Sequence, residues 1–145
     1  MALMAVEEAL SVLLADAGQP QATETVAIDS AFGRVIAAAV HSSIDVPPAA
    51  NSAMDGYAVR AAEMAAGVIL PVSQRIPAGS VGASLLPGTA ARVFTGAELP
   101  PGADTVVMQE DCRPVEGGVM IERKPQPGDN VRPRGQDIRA GAPLV

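Results

Sequence analysis

Aromatic side chains are nearly missing from this sequence: Phe32, Tyr57 and Phe94 are the only three, and there is no tryptophan. With so few rings to stack on bases and a formal net charge of -6 opposing a phosphate backbone, nucleic-acid binding is not expected. Cysteine and histidine occur once each, as Cys112 and His41. One thiol forms no intramolecular disulfide, and neither residue has neighbours with which to share a structural zinc ion. Cys112 reads as a buried or inert thiol, His41 as a surface residue, and a reduced cytoplasm as the natural compartment. No apolar run reaches bilayer length. The opening stretch MALMAVEEALSVLLADAG carries Glu7 and Glu8 and lacks a basic leader, so neither a signal peptide nor a membrane anchor is expected. The P-loop, the GxGxxG fingerprint and the nucleophile elbow are also missing.

What the chain does have is small residues, turns and valine. Leu, Ile, Val and Phe make up 35 of 145 residues, enough to fold a core, while 14 Gly and 13 Pro punctuate the chain. The composition predicts a turn-rich, mainly β protein. Leu3, Val6, Leu10, Leu13 and Leu14 recur at helical spacing until Gly18 and Pro20, predicting one amphipathic helix over about residues 3 to 17. Thr25 to Asp29 alternates like a strand, Ser30 can cap a short turn, and Val35 to Ile44 reads as a second extended run. The paired prolines of DVPPAAN, Asp45 to Asn51, mark a linker. Short β-like runs follow at Gly56 to Arg60, Leu70 to Ile76, Ala90 to Phe94, Thr105 to Gln109 and Val119 to Arg123, with a helical turn around Arg60 to Ala66. The closing stretch alternates Pro, Gly and charge, as extended segments and tight turns do. The two chain ends can pair with each other. That would make residues 1–46 plus 131–145 one domain and 47–130 an inserted β domain.

Three segments combine turn formers with an isolated polar side chain. In NSAMDGYA, Asn51 to Ala58, Gly56 can take positive φ, bending the backbone so that Asp55 is held outward. That suits a metal or oxyanion site, and equally an ordinary turn. In RVFTGAELPPGAD, Thr95 precedes Gly96, so a hydroxyl and approachable amides can face an oxyanion; the same residues can simply end a strand. In GDNVRPRGQD and the residues after it, Arg132, Arg134 and Arg139 stand beside Asp129 and Asp137. They can bind phosphate or carboxylate, or form salt bridges on a solvated strand. Glu110 and Asp111 close the run TVVMQ as candidate hard-cation ligands or as the wet end of a strand.

Taken in order and spacing, DVPPAANSAMDGYAVR, FTGAELPPGADTVVMQED and PGDNVRPRGQDIRAG resemble the N-terminal region of the MoeA family, the molybdopterin molybdenumtransferases, related to the gephyrin E domain. The leading helix and AFGRVIAAAVHSSIDVP fit the start of that family too. The resemblance implies an elongated region of bifurcated or coiled β-sheets with an N-terminal helix, bearing a compact inserted β domain. The activity it implies is the last step of molybdenum cofactor synthesis. Molybdate is inserted into adenylylated molybdopterin and AMP is released, with magnesium or another divalent cation assisting and molybdopterin adenylyltransferase as upstream donor. Residue by residue, it carries catalytic roles to Asp55, Thr95 and Asp137, cofactor contacts to Ser52, Gly96 and Arg134, and a metal contact to Asp55, with Asp137 either a second acidic contact or the group that orients Arg134. It also implies a homodimer whose active site joins the inserted domain of one subunit to the pterin-binding domain of the other. Ala49 and Ala50 stand where the family often has Phe-Asp, and Gln136 where it usually has Glu. The family's pterin-binding and C-terminal domains have no counterpart in the 145 residues. The expectation is therefore that the isolated chain does not turn over substrate. The alternative from another class is a non-catalytic dimerisation or scaffold module, or a stand-alone homologue acting with a separate pterin-binding protein; a third reading is a simple oxyanion binder.

Overall fold

The computed structural model describes residues 4–18 and 22–145, and their contacts divide the chain into two units, Met1–Ala39 and Val40–Val145. In the first unit, α1 (Val6–Asp16) begins after extended Ala5, with Glu7 and Glu8 in its first turn, where negative charge complements the helix dipole. It ends as Ala17 leaves helical geometry. Leu3 and Pro20, the predicted start of the apolar stripe and its stop, lie outside the described residues. No residue of α1 is buried. The predicted strand Thr25 to Asp29 is not formed; Ile28–Ser30 is a single 3-10 turn instead. Val35 to Ile44 likewise joins no ladder except an isolated bridge at His41. Alternation produces a strand only where a neighbour takes the backbone bonds.

The second unit contains, among the described residues, β1 (Asn51–Ser52), β2 (Gly56–Val59), β3 (Val68–Leu70), β4 (Val72–Ile76), β5 (Ala90–Val93), β6 (Thr105–Met108), β7 (Cys112–Val115), β8 (Gly118–Ile121) and β9 (Val131–Arg132). They form a four-stranded sheet in the order β4-β5-β2-β6, a three-stranded sheet β3-β8-β7 and the pair β1-β9. The predicted run Leu70 to Ile76 is two strands in different sheets, separated at Pro71, which has no N–H for a continuous ladder. β7 escapes sequence reading because it contains Pro114, and the sheet tolerates it because β7 is an edge strand. The predicted helical turn is the 3-10 segment Ala61–Glu63.

Alternation along β2, β5 and β6 sends side chains to two cores. Ala58, Ala91, Val93 and Val106 join Ile76, Leu85 and Ala97 on one face. Val59, Ala90 and Val107 meet Met64, Leu70, Val119 and Ile121 on the other, where the three-stranded sheet packs. Small residues let β2 and β6 approach closely. A Cβ on Gly56 would lie 2.0 Å from the Val107 carbonyl oxygen. Gly56 is not among the positive-φ residues, so the expected reason for a glycine there is replaced by another: close backbone approach.

The chain ends of this unit run together. Val40 and Val145 are bonded, Leu144 N–H donates to the Val40 carbonyl at 2.7 Å, and Val46 forms an antiparallel bridge with Ile138.

Candidate functional site

The loop between β1 and β2 is closed from inside. Ser52 is fully buried, and its hydroxyl donates to the Met54 carbonyl and accepts from the Met54 N–H, which tightens the turn ahead of Asp55. β5 pairs antiparallel with β2 in the register Gly56↔Val93, so the residues just beyond β5 arrive beside Asp55. There Oδ1 of Asp55 accepts two hydrogen bonds from Thr95, from its N–H and its hydroxyl, each 2.8 Å. Gly96 follows with φ 82, a conformation that favours glycine, and its N–H donates to the Ser52 carbonyl at 2.8 Å.

These bonds fix the electrostatics. The Thr95 N–H, then its hydroxyl, then the charge of Arg92 hold the Asp55 carboxyl below its ordinary value of 3.8. Asp55 is therefore an anion at neutral pH, suited to holding a cation or orienting water and unsuited to donating a proton. The same bonds occupy the donors that the sequence offers to an oxyanion: both Thr95 donors go to Asp55, and the Gly96 N–H goes to Ser52.

Positive charge comes from residues that motif reading passes over. Across the four-stranded sheet, Arg75 of β4, Arg92 of β5 and Tyr57 of β2 stand in one row. The guanidinium carbons of Arg75 and Arg92 lie 4.6 and 4.8 Å from the centre of the Phe94 ring, and that of Arg92 lies 5.2 Å from the centre of Tyr57. Such contacts contribute about 0.5–1 kcal/mol each at exposed positions. Arg92 also bonds to the Gly56 carbonyl at 3.0 Å and to Oε1 of Gln109 at 2.6 Å, tying three elements together beside Asp55. The available signal was Arg92 itself, a charged residue alternating with buried Ala91 and Val93. Two of the three aromatic rings in the chain are used here.

Asp137 and Arg134 belong to a second cluster. Arg134 pairs with Asp45, not with Asp137, at 2.5 Å. Asp45 also accepts from the Ala140 N–H, which with Arg134 keeps its carboxyl below the usual range. Asp137 is exposed and is anchored by its N–H to the Val46 carbonyl at 2.9 Å. No hydrogen bond joins this cluster to Asp55. Asp111 binds Arg123 at 2.8 Å. Among the described residues, no group of three or more His, Cys, Asp or Glu is arranged to hold a metal ion. Half-buried Cys112 has its thiol pushed up to about 12 by burial and then by Asp111, as an unreactive thiol should. Among the described residues, no helix is long and apolar enough to cross a membrane.

Comparison with known proteins gives one consistent answer. Residues 4–145 match the family described as the MoeA N-terminal region, domains I and II. The molybdopterin molybdenumtransferase of Nostoc sp. is 45% identical over 131 residues, covering 86% of this chain and 30% of that protein. The protein of the same name from Haemophilus influenzae is 35% identical over 141 residues, covering 96% and 35%. In structure, the molybdopterin biosynthesis MoeA protein from Pyrococcus horikoshii OT3 superposes with a TM-score of 0.80 at 34% identity, over 96% of this chain and 38% of that one. The chain thus spans about a third of the length of the curated relatives it matches.

Proposed function

The chain belongs to the family of MoeA N-terminal regions, and from that premise we propose that it supplies one half of a molybdenum-inserting site. The observation that carries the proposal is the coupling of two motifs, forty residues apart, through the paired 2.8 Å bonds from Thr95 to Asp55. The substrates are molybdate and adenylylated molybdopterin, and the products are the metallated pterin and AMP. Thr95 acts chiefly on Asp55, holding one carboxylate oxygen so that the other is oriented and ionised. A divalent cation such as magnesium is commonly bound by one or two carboxylates together with substrate phosphates, and Asp55 fits that role as a single protein ligand. Arg92 places positive charge beside it, with Arg75 next along the same row, where a phosphoanhydride or a molybdate dianion needs neutralising. No covalent protein intermediate is required. Asp137 and Arg134 lie in the cluster with Asp45 and act on substrate only if another part of the assembly brings it to them.

Two copies associate through the first unit. Its apolar residues, Leu10, Leu13 and Leu14 at helical spacing on α1 and fully exposed Phe32, support the homodimer, because apolar side chains left uncovered in one copy can be buried by a second. The cytoplasm, which keeps Cys112 reduced, is the compartment.

The experiment supplies the remaining two-thirds of a relative in trans and follows AMP release from adenylylated molybdopterin with molybdate and magnesium. Release that requires both parts supports the proposal. No release from the mixture, under conditions where the intact relative turns over, sinks it and favours a dimerisation module without a catalytic role.

A further inference from the structure

β6 is the last strand of its sheet, and Val106 within it is fully buried. The backbone groups of Val106 that point away from β2 therefore need protein partners, and among the described residues no further strand pairs with β6 there. The turn ahead of β9 supplies them. The Asp129 carbonyl accepts from the Val106 N–H, and the Asn130 side-chain amide donates to the Val106 carbonyl, each at 2.9 Å. The amide does what the N–H of a neighbouring strand would do. Turned over, it would set its oxygen against the carbonyl, so its orientation is fixed.

Asn130 uses its side chain here because its backbone has left the edge. At φ 55 it is, among the described residues, the only non-glycine in the left-handed region, which a Cβ disfavours and which Asn tolerates better than most. The chain then enters β9, which pairs with β1 in the register Ser52↔Val131. That change of direction brings the Asn130 carbonyl to the Ala53 N–H at 2.9 Å, two residues before Asp55. One residue thus joins two structures. Its amide holds β6, and its carbonyl holds the loop that carries Asp55.

The far end of the loop is tied to the same strand. Just past β6, the Gln109 N–H donates to the Asp55 carbonyl at 3.0 Å. β6 is therefore the common frame: Val106, through Asn130 and Ala53, fixes where the loop enters, Gln109 fixes where it leaves, and Thr95 then meets the carboxylate. An uncommon backbone conformation kept in place by a specific bond beside a working loop is characteristic of groups that set a site's geometry. Other side chains cannot combine the two tasks. Glycine permits the turn but has no amide to anchor it, and alanine lacks the amide and resists the turn.

We propose that Asn130 is a positioning residue for Asp55, its amide anchored on β6 and its carbonyl aiming the loop through Ala53. The proposal rests on the reading of Asp55 given above, and two measurements keep the two apart. The first is amide hydrogen exchange by two-dimensional NMR on the 145-residue chain, parent against Asn130→Ala and Asn130→Gly. In Asn130→Ala, exchange at the Ala53 and Thr95 amides should accelerate at least about tenfold more than at the amides of β8. Asn130→Gly, which relieves the backbone and guards against a variant that does not fold, should show the same pattern to a smaller degree. The second measurement is AMP release in trans. Asn130→Ala should lower kcat at least about tenfold, with the KM for adenylylated molybdopterin within about twofold of the parent, because a small misplacement costs rate more than binding. Asn130→Gly should fall between the two. Uniform acceleration of exchange across the loop and β8 would show a merely structural residue and overturn the proposal. So would a kcat within about twofold of the parent in both variants. If the parent itself releases no AMP, the functional reading fails, and the exchange pattern alone decides whether Asn130 holds the loop.

Discussion

Both units of the chain carry apolar residues, but only the second covers them. In Val40–Val145, strands β2, β5 and β6 alternate between two cores whose members include fully buried Val59, Val93, Val106, Val119 and Ile121. In Met1–Ala39 no described residue is buried, Leu13 is 68% exposed and Phe32 is 100% exposed. The difference teaches where each unit draws its stability. The second is held by its own sheets and can present Asp55 on a fixed frame. The first leaves its apolar stripe exposed.

The comparison breaks most visibly at glycine. Gly56→Ala drives a Cβ into the Val107 carbonyl between two core strands, and should cost at least about 3 kcal/mol, read as a large fall in urea midpoint or as insoluble protein. The same change at Gly33 in the first unit meets no atom within 4 Å, and only its φ of 78 resists, so about 1 kcal/mol is expected. Equal costs would show that the second unit is not the rigid one.

Truncation sharpens the contrast at the next level. Ile121→Ala should lower unfolding free energy by about 2–5 kcal/mol. Leu13→Ala should change it by less than about 0.5 kcal/mol while weakening self-association in sedimentation. Leu13→Ala without effect on association would remove α1 from the dimer contact.

The smaller effects concern titration and reactivity. Asp55 has a folded pKa below 3.8, so the stability it contributes is present above that value and is lost as pH falls through the lower folded pKa. Thr95→Val removes the hydroxyl bond and keeps the N–H bond, moving the Asp55 pKa part of the way back up in a carboxyl NMR titration. The stability difference between variant and parent should appear above about pH 4 and close in stronger acid. An unmoved Asp55 pKa would mean that the hydroxyl does not act on it. Cys112, with its thiol near 12, should alkylate slowly at neutral pH in the folded chain and quickly in denaturant.

Much of this was legible in the sequence, for reasons that also explain the gaps. Helical spacing located α1 although none of its residues is buried, and valine-rich runs between turns located β2, β5, β6 and β8, because turn formers bound each short apolar run. Thr25 to Asp29 has the same alternation but no neighbouring strand, and alternation alone does not supply one. β7 hides behind Pro114 and two preceding acids, features that only an edge position tolerates. At the candidate site, motif order singled out Asp55 and Thr95 for attention. That they bond to each other, and that Arg92 and Arg75 stack beside them on Phe94, depends on cross-strand register, which no local window contains. Likewise Arg134 meets Asp45, eighty-nine residues away, instead of nearby Asp137.

The most direct test of the central claim compares Asp55→Asn with the parent chain in the trans assay, with unfolding measured alongside. The account predicts that the variant remains folded under assay conditions yet releases AMP at least about a hundredfold more slowly, because the charge and not the shape has been removed. A folded variant that works within about twofold of the parent would contradict the assignment of Asp55 to the working half of the site.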